Sequence, residues 1–149
     1  MAKKVLFLCT GNSARSQMGE AFLRKYGGES FQVFSAGLSP KGINPLTVQV
    51  MQEAGIDLSA HTAKSVNDFL GKELIHILIT VCDDAEKNCP RVGPGVNQRL
   101  HWSFEDPAAF EGTDQEKLEK FREIRDQIER KVWQWLAEEG FPNRPTTAL

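Results

Sequence analysis

Hydrophobic residues crowd Val5 to Leu8 behind two lysines, and the stretch from Lys3 to Cys9 reads as a strand buried on both faces of a parallel sheet. Thr10 to Arg15 is a short polar loop, after which Met18, Ala21, Phe22 and Leu23 recur at helical spacing until Gly27 and Gly28 end the pattern. Phe31 to Ser35 alternates apolar with polar positions and predicts a second strand, closed by Ala36 and Gly37. Asn44 and Pro45 supply an N-cap and a proline at the first helical position, and Val48, Met51, Gln52 and Ala54 carry a second helix to Gly55. A short helix is expected from Ser65, and the apolar run Leu74 to Val81 predicts a central third strand. Asp83 to Gly95 is rich in turn residues, Asn97 to Trp102 reads as a fourth short strand, and Asp106-Pro107 lies in the loop after it. Thr113 and Glu116 have the spacing of a capping box. Leu118, Phe121, Ile124, Ile128, Val132 and Trp135 follow at steps of three or four, which predicts a long amphipathic last helix. Phe141 to Leu149, with two prolines, reads as a frayed tail.

Strands alternating with helices imply an α/β fold of three layers, α/β/α, around a central four-stranded parallel sheet. The 149 residues, 40% of them hydrophobic, suit one domain spanning 1–149. Ligands of such sheets bind beyond the carboxyl ends of the strands. Cys9 closes the first strand, Ser35 the second and Cys82 the third, while Asp106 lies past the fourth, so four reactive side chains are expected on one edge. Eighteen basic and twenty acidic residues leave a formal charge of −2, with no stripe of Lys and Arg to follow a nucleic-acid backbone. The apolar stretch near the start is too short for a secretory signal, and no segment approaches the roughly 20 apolar residues of a membrane span. A soluble, cytoplasmic monomer is expected, with no nucleic-acid or membrane partner.

The sharpest chemical signal is Cys9-Thr10-Gly11-Asn12-Ser13-Ala14-Arg15-Ser16, a C-x5-R-S string between a predicted strand and a predicted helix. Five intervening residues can curl the backbone around a tetrahedral oxyanion, with successive N–H groups turned inward and a helix N-terminus behind them. Gly11 and Asn12 are residue types that tolerate the positive φ of such a curl. The Arg15 guanidinium can grip two oxygens at once. The same positive field favours the thiolate of Cys9, the nucleophilic form, and the Ser16 hydroxyl can donate to its sulfur.

Three cysteines make an odd count, which argues against a framework of structural disulfides and for thiols kept reduced in a cytosol. Cys82 stands at the end of the third strand and Cys89 seven residues later. Spacing alone leaves them open as redox thiols or ordinary core and loop residues, and no further Cys or His pair stands at zinc-ligand spacing.

The Cys9 to Ser16 segment resembles that of the low-molecular-weight protein tyrosine phosphatases and of the arsenate reductases that share their fold. Thr10-Gly11-Asn12-Ser13, Arg15-Ser16-Gln17-Met18, Ser35-Ala36-Gly37, Asn44-Pro45, His61-Thr62, the Cys82 and Cys89 pair and His101-Trp102 resemble the thioredoxin-coupled reductase branch, over nearly the whole chain. The resemblance implies that residues 10–15 bind arsenate, with phosphate or sulfate as analogues. It further implies that Cys9 attacks arsenic, that Cys82 then attacks Cys9 and releases arsenite, and that a Cys82–Cys89 disulfide remains for thioredoxin to reduce, with no bound cofactor. Reducing As(V) to As(III) takes two electrons, which two thiols supply by forming a disulfide, whereas hydrolysing a phosphate ester needs one cysteine. Seven helical steps span roughly 10 Å, while a disulfide tolerates a Cα separation of at most about 7 Å. Any helix between Cys82 and Cys89 must therefore loop out on oxidation.

Asp106, held extended by Pro107, sits where the family keeps its general acid; a turn-forming aspartate is the alternative. The phosphatase branch continues into tyrosines that shape an aryl pocket, whereas Ala108-Ala109-Phe110 follows here. The resemblance also implies a potassium region at Asn12, Glu20 and Ser35, where the matching acidic position is Lys64 and its ammonium stands for the cation. His61, His76 and His101 are expected to be structural, and Trp133 and Trp135 to pack the last helix with one of them half exposed. Two rivals stand beside arsenate reduction: a phosphatase whose extra cysteines protect its nucleophile, and a non-catalytic redox sensor that binds phosphate. Glutaredoxin is the alternative reductant, and weak phosphatase activity is expected on the side.

Overall fold

Val5, Leu6, Phe7 and Leu8 are completely shielded from solvent, because strand β1 (Lys3–Cys9) lies between two parallel neighbours. The computed structural model describes residues 2–69, 71–88 and 96–141, so Cys89 and the tail from 142 onward lie outside the described residues. β2 (Phe31–Gly37), β3 (Ile77–Thr80) and β4 (Gln98–His101) complete a parallel four-stranded sheet in the order β2-β1-β3-β4. The chain leaves β1 toward β2 on one side and later fills the other side with β3 and β4. The order therefore reverses between β1 and β3, where open α/β sheets form their ligand crevice.

Helices α1 (Arg15–Gly27) and α4 (Asp114–Glu138) cover one face. α1 lies so close that a Cβ on Gly19 would stand 2.6 Å from the Phe7 ring, which is why glycine occupies that position. Phe31 and Trp102 pack on Trp135 of α4 with ring centroids 5.5 and 6.1 Å apart. α2 (Pro45–Glu53) joins this layer through Arg125, whose guanidinium donates to Val50 O at 3.0 Å and pairs with Glu53 at 2.9 Å. On the opposite face Phe34 packs on Phe69, beside the turn Val66–Asp68 that Ser65 caps. The capping signals act as expected: Asn44 Oδ1 accepts from Leu46 N at 2.9 Å, and Thr113 and Glu116 exchange side-chain and backbone hydrogen bonds.

Several boundaries differ from expectation. β3 begins at Ile77, not Leu74, which is half exposed. At His76 the ring Nδ1 takes the Lys4 N–H at 3.0 Å while the His76 N–H donates to Lys4 O at 2.9 Å, and regular pairing starts one residue later. Residues Asp83–Asn88, read as turn, form helix α3, too short for apolar periodicity to show and with only Ala85 buried. Ser35 does not close β2, which runs two residues further to Gly37. Phe141 is not frayed: its ring packs on Phe31 at 5.2 Å. Trp135 is buried and Trp133 partly so, as expected.

Candidate active site

The loop after β1 is held by its outward-facing carbonyls. Cys9 O, Thr10 O, Gly11 O and Ser13 O accept from the backbone N–H groups of Leu38, Ser39, Lys41 and Asn44 at 2.8–3.1 Å, and Asn12 O accepts from the Gln17 side chain. With the carbonyls committed away from the cup, the loop N–H groups are left for an anion, and Asn12 N points at Cys9 Sγ at 3.2 Å. Asn12 takes the positive φ, 50°, whereas Gly11 does not; this corrects the expectation for Gly11, where a Cβ would meet Ser13 Oγ at 3.4 Å and the stem of Lys41 at 3.7 Å, both ordinary contacts. The unexpected glycine is Gly37, where a Cβ would stand 2.6 Å from Thr10 O and 2.8 Å from Asn12 N. Only a residue without a side chain lets the loop lie this close to the end of β2. α1 begins at Arg15 with no side-chain cap, leaving its first N–H groups toward the cup.

Beneath the cup runs a buried chain of oriented hydrogen bonds. Asn12 Oδ1 accepts from Lys64 N at 2.7 Å and from Gln17 Nε2 at 3.0 Å, which fixes the amide. Asn12 Nδ2 therefore donates to Ser16 Oγ at 2.8 Å and to Ser35 Oγ at 3.0 Å. The Ser16 hydrogen is left for Cys9 Sγ, 2.8 Å away, and the Ser35 hydroxyl donates to Glu20 Oε1 at 2.5 Å. Glu20 is 4% exposed and pairs with Arg24 at 2.7 Å, with Lys64 Nζ at 3.7 Å. Gln17 also accepts from His61 Nδ1 at 3.2 Å, its amide being fixed by donation to Thr62 O. Burial, more than any neighbouring charge, holds the His61 ring below its ordinary titration range, with Arg24 and Lys64 adding to the effect against Glu20 and Asp57.

Above Cys9 the cup opens into a cavity of about 350 Å3 lined by Cys9, Arg15, Lys41, Asp84, Asp106 and Ala108, among others. Arg15 donates through Nη1 to Phe104 O at 3.1 Å, and its Nη2 stands 3.8 Å from Asp106 Oδ2. Asp106 reaches in two directions. Oδ1 caps the turn Pro107–Ala109 by accepting from Ala108 N at 3.0 Å, and the other oxygen faces Arg15 at the cup.

Cys82 is buried two residues beyond β3, on the strand adjacent to that of Cys9. Its Sγ receives Ala85 N–H at 3.3 Å and lies 3.5 Å from Thr10 Oγ1. α3, which follows it, is fastened by three carboxylates. Asp83 accepts from His101 and Ser103, both at 3.1 Å, and these bonds hold its carboxyl below the usual carboxylate range. Asp84 accepts from Thr10 at 2.8 Å, and Glu86 accepts from Thr80 at 2.5 Å. Arg99 donates to Glu86 O at 3.1 Å.

The structure thus gathers Cys9, residues 10–15, Ser16, Cys82 and Asp106 at one edge, and places Asn12, Ser35 and Glu20 in one buried cluster below, with the partly exposed Lys64 at its border. Cys89 lies outside the described residues. Gln17, Gly37, Lys41, Thr80 and Asp84 complete the surroundings of the site; Gln17 and Gly37 entered the resemblance without a role, and the other three were not singled out. Gln17 follows directly on the Arg-Ser pair, a signal that its neighbourhood was structured, whereas the others come together only through the sheet order. Among the described residues no group of three or more His, Cys, Asp or Glu is placed to hold a metal ion, and no helix is long and apolar enough to cross a membrane.

A family model described as low molecular weight phosphotyrosine protein phosphatase matches residues 4–140. An arsenate reductase of Bacillus licheniformis is 44% identical over 136 residues, covering 89% of this chain and 94% of that protein. A solved arsenate reductase in its oxidized state superposes with a TM-score of 0.76 at 31% identity, covering 91% of this chain and 98% of the other. A thioredoxin-dependent arsenate reductase of Corynebacterium glutamicum gives a TM-score of 0.65 at 33% identity, covering 93% of this chain and 63% of that one.

Proposed function

The chain belongs to the low molecular weight phosphotyrosine protein phosphatase family, and from that premise we propose that it reduces arsenate to arsenite through a relay of Cys9, Cys82 and Cys89. Arsenate enters the cup of residues 10–15, held by loop N–H groups and the Arg15 guanidinium. The Cys9 thiolate, supported by the Ser16 hydroxyl, attacks arsenic, and an arsenate oxygen departs as water with a proton from Asp106. Cys82 as thiolate then attacks Cys9 Sγ. The sulfur–arsenic bond breaks with its electron pair left on arsenic, which departs as arsenite, and a Cys9–Cys82 disulfide forms. Cys89 attacks Cys82 Sγ and returns Cys9 as thiolate. Two thiols have become one disulfide while As(V) has gained two electrons.

The observation that carries this reading is the pair of buried thiols flanking the switch point of the sheet, Cys9 within the cup and Cys82 past the end of the adjacent strand, with the Thr10 hydroxyl beside Cys82. Arsenate reductases among the relatives support the substrate. The thioredoxin-dependent relative supports thioredoxin over glutaredoxin as donor, and a cytoplasmic setting goes with that proposal. The thiols supply both electrons, so no bound cofactor enters the scheme, and the same cup gives weak phosphate-ester hydrolysis. Lys64 takes the place of a monovalent cation beside Glu20, Ser35 and Asn12. Closing the Cys82–Cys89 bond requires α3 to unwind, which breaks its ties to Thr10, His101 and Thr80 and brings the disulfide within reach of the donor.

The test is turnover with thioredoxin, thioredoxin reductase and NADPH. One NADPH oxidised per arsenite is expected, and Cys82→Ser should abolish it while phosphate-ester hydrolysis persists. Undiminished arsenite production by Cys82→Ser would show that the second thiol is not part of the reaction.

A further inference from the structure

Two acceptors compete for the single hydroxyl hydrogen of Thr10. Asp84 Oδ2 lies 2.8 Å from the oxygen and Cys82 Sγ 3.5 Å from it. An ionised carboxylate can only accept, so the hydrogen goes to Asp84, and Cys82 meets the lone pairs of the oxygen. Those lone pairs suit a thiol S–H and oppose a thiolate.

Asp84 has a second neighbourhood. It lines the anion cavity with Cys9, Arg15 and Lys41, where its negative charge opposes any oxyanion that enters. The remaining titratable groups near Cys82 are engaged elsewhere. Asp83 accepts from His101 and Ser103, Glu86 accepts from Thr80 and Arg99, and the Cys9 sulfur faces Ser16 and Asn12. Among the described residues, the groups within hydrogen-bond reach of the Cys82 sulfur are Thr10 Oγ1 and Ala85 N.

We infer that Asp84 is a positioning residue: it keeps the Thr10 hydroxyl turned away from Cys82, and so keeps Cys82 a thiol, until an oxyanion in the cup drives the carboxylate off Thr10. Released, the Thr10 hydrogen turns to the sulfur and supports its thiolate, while the Cys82 proton passes to solvent at the exposed rim. The second nucleophile is thereby armed only when the first has a substrate. The purpose of this arrangement rests on the proposed relay, but the arrangement itself can be measured without arsenate.

The chain holds three cysteines, so Cys9→Ser with Cys89→Ser leaves Cys82 as sole thiol. In that background the ultraviolet thiolate absorbance and the iodoacetamide alkylation rate are read at neutral pH, with circular dichroism confirming the fold. Asp84→Ala is expected to raise both about threefold, equivalent to half a pH unit, and to bind inorganic phosphate several-fold more tightly. With Thr10→Val present, the same Asp84→Ala change should leave alkylation unaltered. No rise with Asp84→Ala, or a rise of equal size in the Thr10→Val protein, overturns the inference, the latter because loss of charge alone would then account for it. Unchanged or weaker phosphate binding overturns the displacement step. Neither readout uses arsenate turnover, so failure here leaves the relay standing, and failure of the relay leaves these results intact.

Discussion

Ser16 Oγ stands 2.8 Å from Cys9 Sγ while the same oxygen accepts the Asn12 side-chain amide, so the Ser16 hydrogen is directed to the sulfur. The direction is set at Asn12: Lys64 N and Gln17 Nε2 occupy its Oδ1 and leave only its NH2 group for Ser16. Ser16→Ala removes one donor from the buried Cys9 sulfur, which the proposed reaction uses as thiolate. It should slow Cys9 alkylation at neutral pH by about tenfold, the equivalent of one hydrogen bond to a charged group, with a parallel fall in kcat/KM for arsenate. Equal alkylation rates in the two proteins would contradict the assignment.

Lys64 Nζ lies 3.7 Å from Glu20 and donates to Thr62 O at 2.9 Å. With an ammonium resident, exchange of potassium for sodium at constant ionic strength should leave kcat/KM unchanged, and strong potassium activation would contradict the account. Lys64→Ala leaves a buried carboxylate with Arg24 as its remaining ion-pair partner and should cost about 1–3 kcal/mol in urea unfolding.

Asp106 caps a turn with one oxygen and faces Arg15 with the other. Asparagine can cap but cannot donate a proton as a carboxylic acid does. Asp106→Asn should therefore retain thermal stability while losing about 10²–10⁴-fold in rate, the usual size of a general-acid contribution. Full activity in Asp106→Asn would remove Asp106 from the chemistry.

His61, held neutral by burial, gives the fold a pH dependence of known sign. The unfolded chain takes up this proton near pH 6.5 and the folded chain only at lower pH, so the His61 contribution is fully present above about pH 6.5 and is lost as the pH falls toward the folded value. His61→Gln should flatten the decline in melting temperature between about pH 7.5 and about pH 5.5. An unaltered slope would assign the decline to carboxylates elsewhere.

The strand, loop and helix around Cys9 were legible in the sequence because each leaves a local mark: an apolar run, a C-x5-R-S string, a helical spacing. The capping pairs at Asn44 and Thr113 were legible for the same reason. What was not legible is set by the sheet. Gly37 and Gly11 look alike as letters, yet only Gly37 is pressed against Thr10 O and Asn12 N. Glu20 was grouped with Asn12 and Ser35 by the resemblance and not by any local mark on its helix, and its contact with Ser35 forms only where the fold sets β2 beside α1. α3 is six residues long, with a single buried side chain and an acidic first turn, and its fastening to Thr10, Thr80 and His101 depends on pairing between β1, β3 and β4.

The relay itself is tested most directly by a single turnover of the fully reduced protein with arsenate and no external donor, counting arsenite and mapping disulfides by mass spectrometry. The account predicts one arsenite per chain together with a Cys82–Cys89 bond and a free Cys9 thiol. No arsenite, with all three thiols intact, would contradict it and leave a phosphatase.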